Sequence, residues 1–83
     1  MVPRIYFDVR EDETVIPDEE GLELESLDAA EHEAAVSAVD IGRSQLPRGK
    51  VREITVEVKD ENGFVLITAT STLTVRRTIR ALA

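Results

Sequence analysis

The residues best equipped for chemistry in this chain are carboxylates. Glu11, Asp12 and Glu13 fall together, and Asp18, Glu19 and Glu20 follow after four intervening residues. Such a cluster could hold a hard cation such as calcium or magnesium through its oxygens. The alternating Asp/Asn spacing of an EF-hand loop is absent, however, and two clusters at opposite ends of a hairpin need not converge. As a general acid–base pair the same groups would need burial or a close like charge to move a pKa, and nothing nearby is apolar enough to do so. The sequence therefore reads as carrying no catalytic residue, no cofactor site and no metal ligand, with the acids on a solvated loop.

The other candidates fare similarly. His32, the only histidine, lies between Glu31 and Glu33 with no second ligand at helical spacing, so it reads as a surface histidine. No G-x-S-x-G elbow occurs, and Ser26 is better placed as a helix cap than as a nucleophile. The absence of cysteine excludes disulfides, thiol catalysis and cysteine-ligated zinc. Arg76, Arg77 and Arg80 form a short basic tail without interleaved aromatics, which disfavours a nucleic-acid role.

Charge is unevenly distributed. Residues 1–46 carry a net charge of −10 and residues 47–83 carry +3, giving −7 for the 83-residue chain. An acidic front half repels phosphate backbones and suits a basic protein partner. No apolar run approaches the length needed to cross a bilayer, and the chain's start has no apolar signal core, so the reading is cytoplasmic with no membrane partner. The length fits a single domain, residues 1–83, with a small core that dimerisation would enlarge.

The positioning elements follow from periodicity. Arg4–Arg10 alternates, with Ile5, Phe7 and Val9 on one face and Tyr6 and Asp8 on the other, as a half-buried strand does. Thr14–Ile16 is a short second strand stopped by Pro17. Asp18 to Gly21 is a tight turn with Gly21 at positive φ, after which Leu22 and Leu24 tuck beneath the core. A helix begins near Ser26 or Asp28 and ends at Pro47 and Gly49. Its apolar stripe is Leu27, Ala30, Ala34, Ala38 and Ile41, with Ala35 and Gly42 at the margin, and Val36 falls on the polar side.

Arg52–Asp60 is the clearest strand, with Ile54, Val56 and Val58 facing one way. Asn62-Gly63 predicts a type I′ hairpin with positive φ at both residues. Pairing Glu61 with Phe64 sets Val58 against Ile67 and Val56 against Ala69. It also turns Phe64, Leu66 and the threonines Thr68 to Thr74 outward.

The predicted fold is α+β: ββαββ, a four-stranded antiparallel sheet with one helix packed on one face, ordered second–first–third–fourth. The expected core is Ile5, Phe7, Val9, Leu24, Leu27, Ala30, Ala34, Ile41, Ile54, Val56, Val58, Ile67 and Ala69. A single helix leaves one sheet face uncovered, and Tyr6, Phe64 and Leu66 are the apolar residues assigned to it. With Asp18, Glu19 and Glu20 they make the expected partner-binding set.

The stretches Val2–Arg10, Ile16–Leu24 and Leu27–Ala30 resemble a family of small uncharacterised proteins of rhizobia and related alphaproteobacteria. Its signature is I-x-D-x-x-G-x-E-L before an alanine-rich helix. That resemblance implies no activity and transfers no catalytic residue. More distantly, the layout is similar to HicB-type antitoxins, with Asp18 and Gly21 matching their D-x-x-G turn. Here Glu23 to Glu25 stand where those antitoxins usually place another glycine.

The functional expectation is a non-enzymatic protein-interaction module, homodimeric or bound to a basic protein. The alternatives are an antitoxin-like binder of a small basic toxin, and a metal-dependent enzyme using Asp18–Glu20.

Overall fold

Side-chain alternation builds the sheet, and small residues bring one helix down onto it. The computed structural model describes residues 3–79. Strands β1 (Arg4–Glu11) and β2 (Thr14–Ile16) form the first hairpin, and β3 (Leu22–Glu23) precedes helix α1 (Leu27–Gln45). A 3-10 turn at Leu46–Arg48 then leads to β4 (Glu53–Lys59) and β5 (Val65–Thr72). All pairings are antiparallel, in the order β2-β1-β4-β5, and β3 pairs with β1 beyond the end of β2. The α+β class and the strand order agree with the expectation, but the sheet has five strands. The Gly21 turn sends Leu22 and Glu23 back beside Ile5 and Arg4 as a fifth, two-residue strand. Val2 and Arg80 lie outside the described residues.

The second hairpin reaches the expected register by a different route. Val58 faces Ile67 and Val56 faces Ala69, yet the turn is not type I′, since Gly63 (φ 85°) has positive φ and Asn62 does not. Asp60 and Phe64 instead close a three-residue loop, the Asp60 N–H donating to the Phe64 carbonyl at 3.0 Å. The Asp60 carboxylate selects this loop by accepting from the Asn62 and Phe64 N–H groups at 2.9 and 3.0 Å. The longer loop slips the pairing by one residue. A bulge between Val58 and Lys59 slips it back, because Lys59 faces Val65 and Leu66 is the extra residue.

That bulge re-aims side chains. Val65 shares the open face with Lys59, while Leu66 lines a groove beneath the start of α1 with Ile5, Leu24 and Leu27. The outward position expected for Leu66 is therefore corrected.

Ser26 caps α1, its Oγ accepting from the Ala29 N–H at 3.1 Å, which decides between the two candidate caps. The buried stripe is Ala30, Ala34, Ala38 and Gly42, continued by Leu46 in the 3-10 turn. Ala30, Ala34 and Ala38 pack with Ile5, Val56 and Val58, while Phe7, Val9, Leu24, Ile67 and Ala69 border that core. Leu27 is 57% exposed, contrary to its expected core place, because it lies one turn before Ala30 and reaches only the end groove. Ile41 is half-buried, and of the two leucines expected beneath the core only Leu24 packs there, Leu22 being exposed.

A helix faced with alanine and glycine sits close to its sheet. A Cβ on Gly42 would lie 2.5 Å from Ser71 Oγ and 3.1 Å from Ser71 Cβ, closer than packed atoms tolerate. Gly42→Ala is expected to lower stability by about 1–3 kcal/mol through overpacking, despite alanine's better helix propensity. Chemical denaturation measures this, and adding Ser71→Ala should recover part of the loss. A gain in stability from Gly42→Ala alone would mean that the helix stands further off.

Candidate functional site

Between Ile16 and Leu22 the chain leaves the edge of β1, and two aspartates repair the gap. In an antiparallel sheet a strand's N–H groups point alternately to its two neighbours. The Phe7 N–H points to the side where neither β2 nor β3 is present, and a half-buried N–H needs an acceptor. Asp18 Oδ2 supplies it at 3.1 Å. Asp18 Oδ1 accepts from the N–H groups of Glu20 and Gly21 at 3.2 and 3.1 Å. Asp8 Oδ1 accepts in turn from the Asp18 N–H at 3.0 Å. One side chain thus stands in for a missing stretch of strand and shapes its own loop.

Gly21 belongs to the same device. Its φ is +72°, and a Cβ there would lie 2.9 Å from the Tyr6 ring and 3.0 Å from the Ile5 carbonyl oxygen. Both the backbone sign and the space demand glycine. Arg4 fastens the loop from the other side, donating to the Glu20 carbonyl at 2.7 Å and to Glu23 Oε1 at 3.2 Å.

The adjoining open face of the sheet is ionic. Asp8 faces Glu57 across β1 and β4, a like-charge pair that would be unfavourable alone. Lys59 Nζ resolves it, standing 2.9 Å from Asp8 and 3.8 Å from Glu57, and Arg10 approaches Glu57 at 3.5 Å. Burial by itself would raise the Asp8 carboxyl; the Asp18 N–H and the Lys59 ammonium outweigh it and hold its pKa below the ordinary value. Burial likewise opposes ionisation of Asp18, and the N–H groups of Gly21, Phe7 and Glu20 together hold its pKa down. The hydrogen bond to Asp8 raises the Lys59 pKa.

The expected partner-binding residues are thus divided. Tyr6 and Asp18 line one open recess with Asp8, Pro17 and Lys59, and Glu19 and Glu20 are exposed beside it. Phe64 flanks the hairpin turn and is 68% exposed. Leu66 belongs to the separate groove under α1. Among the described residues no three acidic or histidine side chains converge into a group that could hold a metal ion.

Asp8 and Lys59 are the members that sequence reading missed, because each looks like an ordinary solvent-facing position of an alternating strand. The first acidic cluster is also less free than expected. The Asp12 carboxylate accepts from the Arg52 and Glu53 N–H groups at 3.0 Å, fastening the hairpin tip to the start of β4.

Asp18→Asn places an amide NH₂ where at least one N–H now donates. A loss of about 1.5–3 kcal/mol at neutral pH is expected, the range for hydrogen bonds to a charged group. Because the folded pKa values of Asp8 and Asp18 are lowered, the stability they contribute is present above the unfolded value. It is lost as pH falls through the folded one, so acid unfolding of the native chain steepens below about pH 4. Asp18→Asn should flatten that dependence. An unaltered acid limb in pH-dependent denaturation would show that the carboxylate is not the acceptor described.

No described helix is long and apolar enough to cross a membrane. No curated protein and no solved structure is significantly similar to this chain. One family model, described as "Domain of unknown function (DUF6894)", matches residues 4–72, from the first residue of β1 to the last of β5, and it spans Asp8, Asp18, Gly21 and Lys59. The chain therefore belongs to the DUF6894 family.

Proposed function

We propose that this protein is a non-enzymatic, cytoplasmic interaction module that works as a homodimer and binds a basic protein partner. One observation carries the reading: many of the acids fall into two groups, one bound to the backbone and one free at the surface. Asp8, Asp12, Asp18 and Asp60 are spent on backbone N–H groups. Glu13, Glu19, Glu20, Glu25, Glu31 and Glu33 are exposed, and among the described residues none of them makes an ion pair. An outward negative field from side chains with no internal task steers and orients a positively charged partner. Tyr6 in the recess and Phe64 at the hairpin turn supply apolar contact near that field, while Leu66 offers a second apolar spot in the groove under α1.

A narrower form of the reading is an antitoxin-like binder of a small basic toxin. The Asp18–Gly21 turn, the alanine-faced helix and the returning strand support it through their likeness to HicB-type antitoxins and to the small rhizobial proteins with the I-x-D-x-x-G-x-E-L signature. That likeness is one of layout.

Affinity capture from the native host, read by mass spectrometry, tests the proposal. A stoichiometric basic protein is expected, with the Glu19→Lys/Glu20→Lys variant slowing its association by about tenfold and added salt doing the same. A small basic ribonuclease-like protein encoded beside this chain would select the antitoxin form. Capture of an acidic protein, or binding indifferent to salt and to both substitutions, would overturn the reading.

A further inference from the structure

We infer that two copies of this chain join edge to edge through β5, in antiparallel register about a two-fold axis at Thr70, making one continuous sheet with both helices on the same face. This rests on the homodimeric part of the function proposed above and names its interface.

The free edge is defined by hydrogen-bond direction. The Phe7 N–H points away from β4, to Asp18, so the facing pair Phe7 and Val58 does not exchange bonds. Val58 therefore bonds towards β5, as do Val56 and Ile54, and their partners Ile67, Ala69 and Ser71 bond inward. The N–H and C=O groups of Thr68, Thr70 and Thr72 are left pointing outward. Natural edges are guarded by lysine, proline or a bulge. Val65–Thr72 contains neither lysine nor proline, and its bulge lies at Leu66, outside the threonine run. With the axis at Thr70, Thr68 meets Thr72 of the partner subunit and every outward group in this run is paired.

The helix position suits the same occupant. α1 packs across both β4 and β5, so its axis lies roughly one strand spacing, about 4.8 Å, from the proposed two-fold. The two helix axes would then stand about 10 Å apart, the spacing of directly packed helices. The flank turned to that axis carries exposed valines beside one arginine. Val39 and Arg43 line a groove with Ser71 and Leu73 of the β5 side, whereas Glu33 and Ser37 face Phe7 and Leu22. Val36 lies one turn before Val39 on the same flank, and both valines are exposed in the single chain.

The chain beyond β5 completes the match. Leu73–Ile79 runs on from β5 outside any strand. Val75 on this arm is 82% exposed. In the Thr70 register Leu73 lies beside Ile67 of the partner subunit, and Val75 follows it towards the bulge at Leu66 of the partner subunit. Arg76 and Arg77 then reach the hairpin turn that carries the partner's Asp60 and Glu61, so opposite charges meet at both ends of the interface. A peptide from an unrelated protein could satisfy the edge amides, but only a second copy brings the Val36–Val39 flank and the acidic turn together.

Light scattering on the full chain at micromolar concentration, with residue-resolved amide hydrogen exchange, tests this. The native chain is expected to be a dimer in which the Thr68, Thr70 and Thr72 amides are protected, and dilution to monomer should remove that protection while sparing Glu57. Thr70→Pro deletes an outward N–H and should abolish the dimer with the circular dichroism spectrum retained. Arg76→Glu/Arg77→Glu should weaken it at least about tenfold and Glu61→Lys should restore part of the loss, as charge pairing across the interface requires. A native chain that is monomeric at every concentration overturns this interface and the homodimeric reading together. A dimer that survives Thr70→Pro, or one whose Thr70 amide exchanges freely, overturns the β5 interface alone. If Thr70→Pro fails to fold, the exchange pattern of the native dimer decides.

Discussion

The fold depends on the Phe7 N–H finding an acceptor where the edge strand is interrupted. β1 sits between β4 and a neighbour made of two fragments, and the gap between those fragments exposes a backbone donor within the sheet. Leaving such a donor unpaired is unfavourable by about 1–3 kcal/mol, a sizeable fraction of the stability of so small a domain. Asp18 closes the gap and, through the Glu20 and Gly21 N–H groups, makes the turn that returns the chain to β1. Without that turn Leu22 and Glu23 would not pair, and Ser26 would not be delivered to the start of α1. One carboxylate thereby couples the sheet edge to the helix.

The choice of aspartate over glutamate at these positions has a physical reason. A short side chain holds its carboxylate close to its own backbone, where it can accept N–H groups two or three residues away with little rotamer freedom to lose. Asp18 and Asp60 bond this way within their own turns, and Asp12 reaches across to the start of β4. Glutamates at such sites would have to order a longer chain, and they stay on the surface instead. Glu57 differs because it lies in the charged row with Arg10 and Lys59. That row makes the open face of the sheet ionic, so the sheet does not need a second helix to cover it.

Much of this architecture is legible in the sequence, and the exceptions have identifiable causes. Alternation in Arg4–Arg10 and Arg52–Asp60 is enough to set the faces, and Ser26, Pro47 and Gly49 mark the helix ends. The Asn62-Gly63 signal predicts a hairpin correctly but mistakes its geometry, because Asp60 two residues earlier offers its carboxylate to the turn and favours a longer loop. A local propensity is overridden there by a side-chain bond that dipeptide statistics do not contain. The same oversight misplaces Leu66, since a bulge cannot be seen in a run that alternates well. Leu27 is misjudged for another reason: a helical wheel shows direction around the axis but not where along it the sheet ends. At the candidate site Asp18 and Gly21 are visible as a turn, whereas Asp8 and Lys59 need the β1–β4 register before they become neighbours.

The small-residue stripe on α1 ties these observations to the shape of the whole. Alanine at positions 30, 34 and 38 and glycine at 42 contribute little buried area apiece, at roughly 25 cal/mol for each Å². Their value lies in proximity, because a close helix lets Ile54, Val56 and Val58 be fully enclosed by one layer. The consequence is a thin core confined to the middle of the sheet, with apolar residues displaced to its margins at Val15, Ile16, Leu27, Phe64 and Leu73. A thicker helix face would draw some of these inward at the expense of the close Gly42–Ser71 contact. The chain has instead placed its tight packing at the centre, its hydrogen-bonded aspartates at the loops and its uncommitted apolar and acidic groups at the rim, where contact with another chain is sterically open.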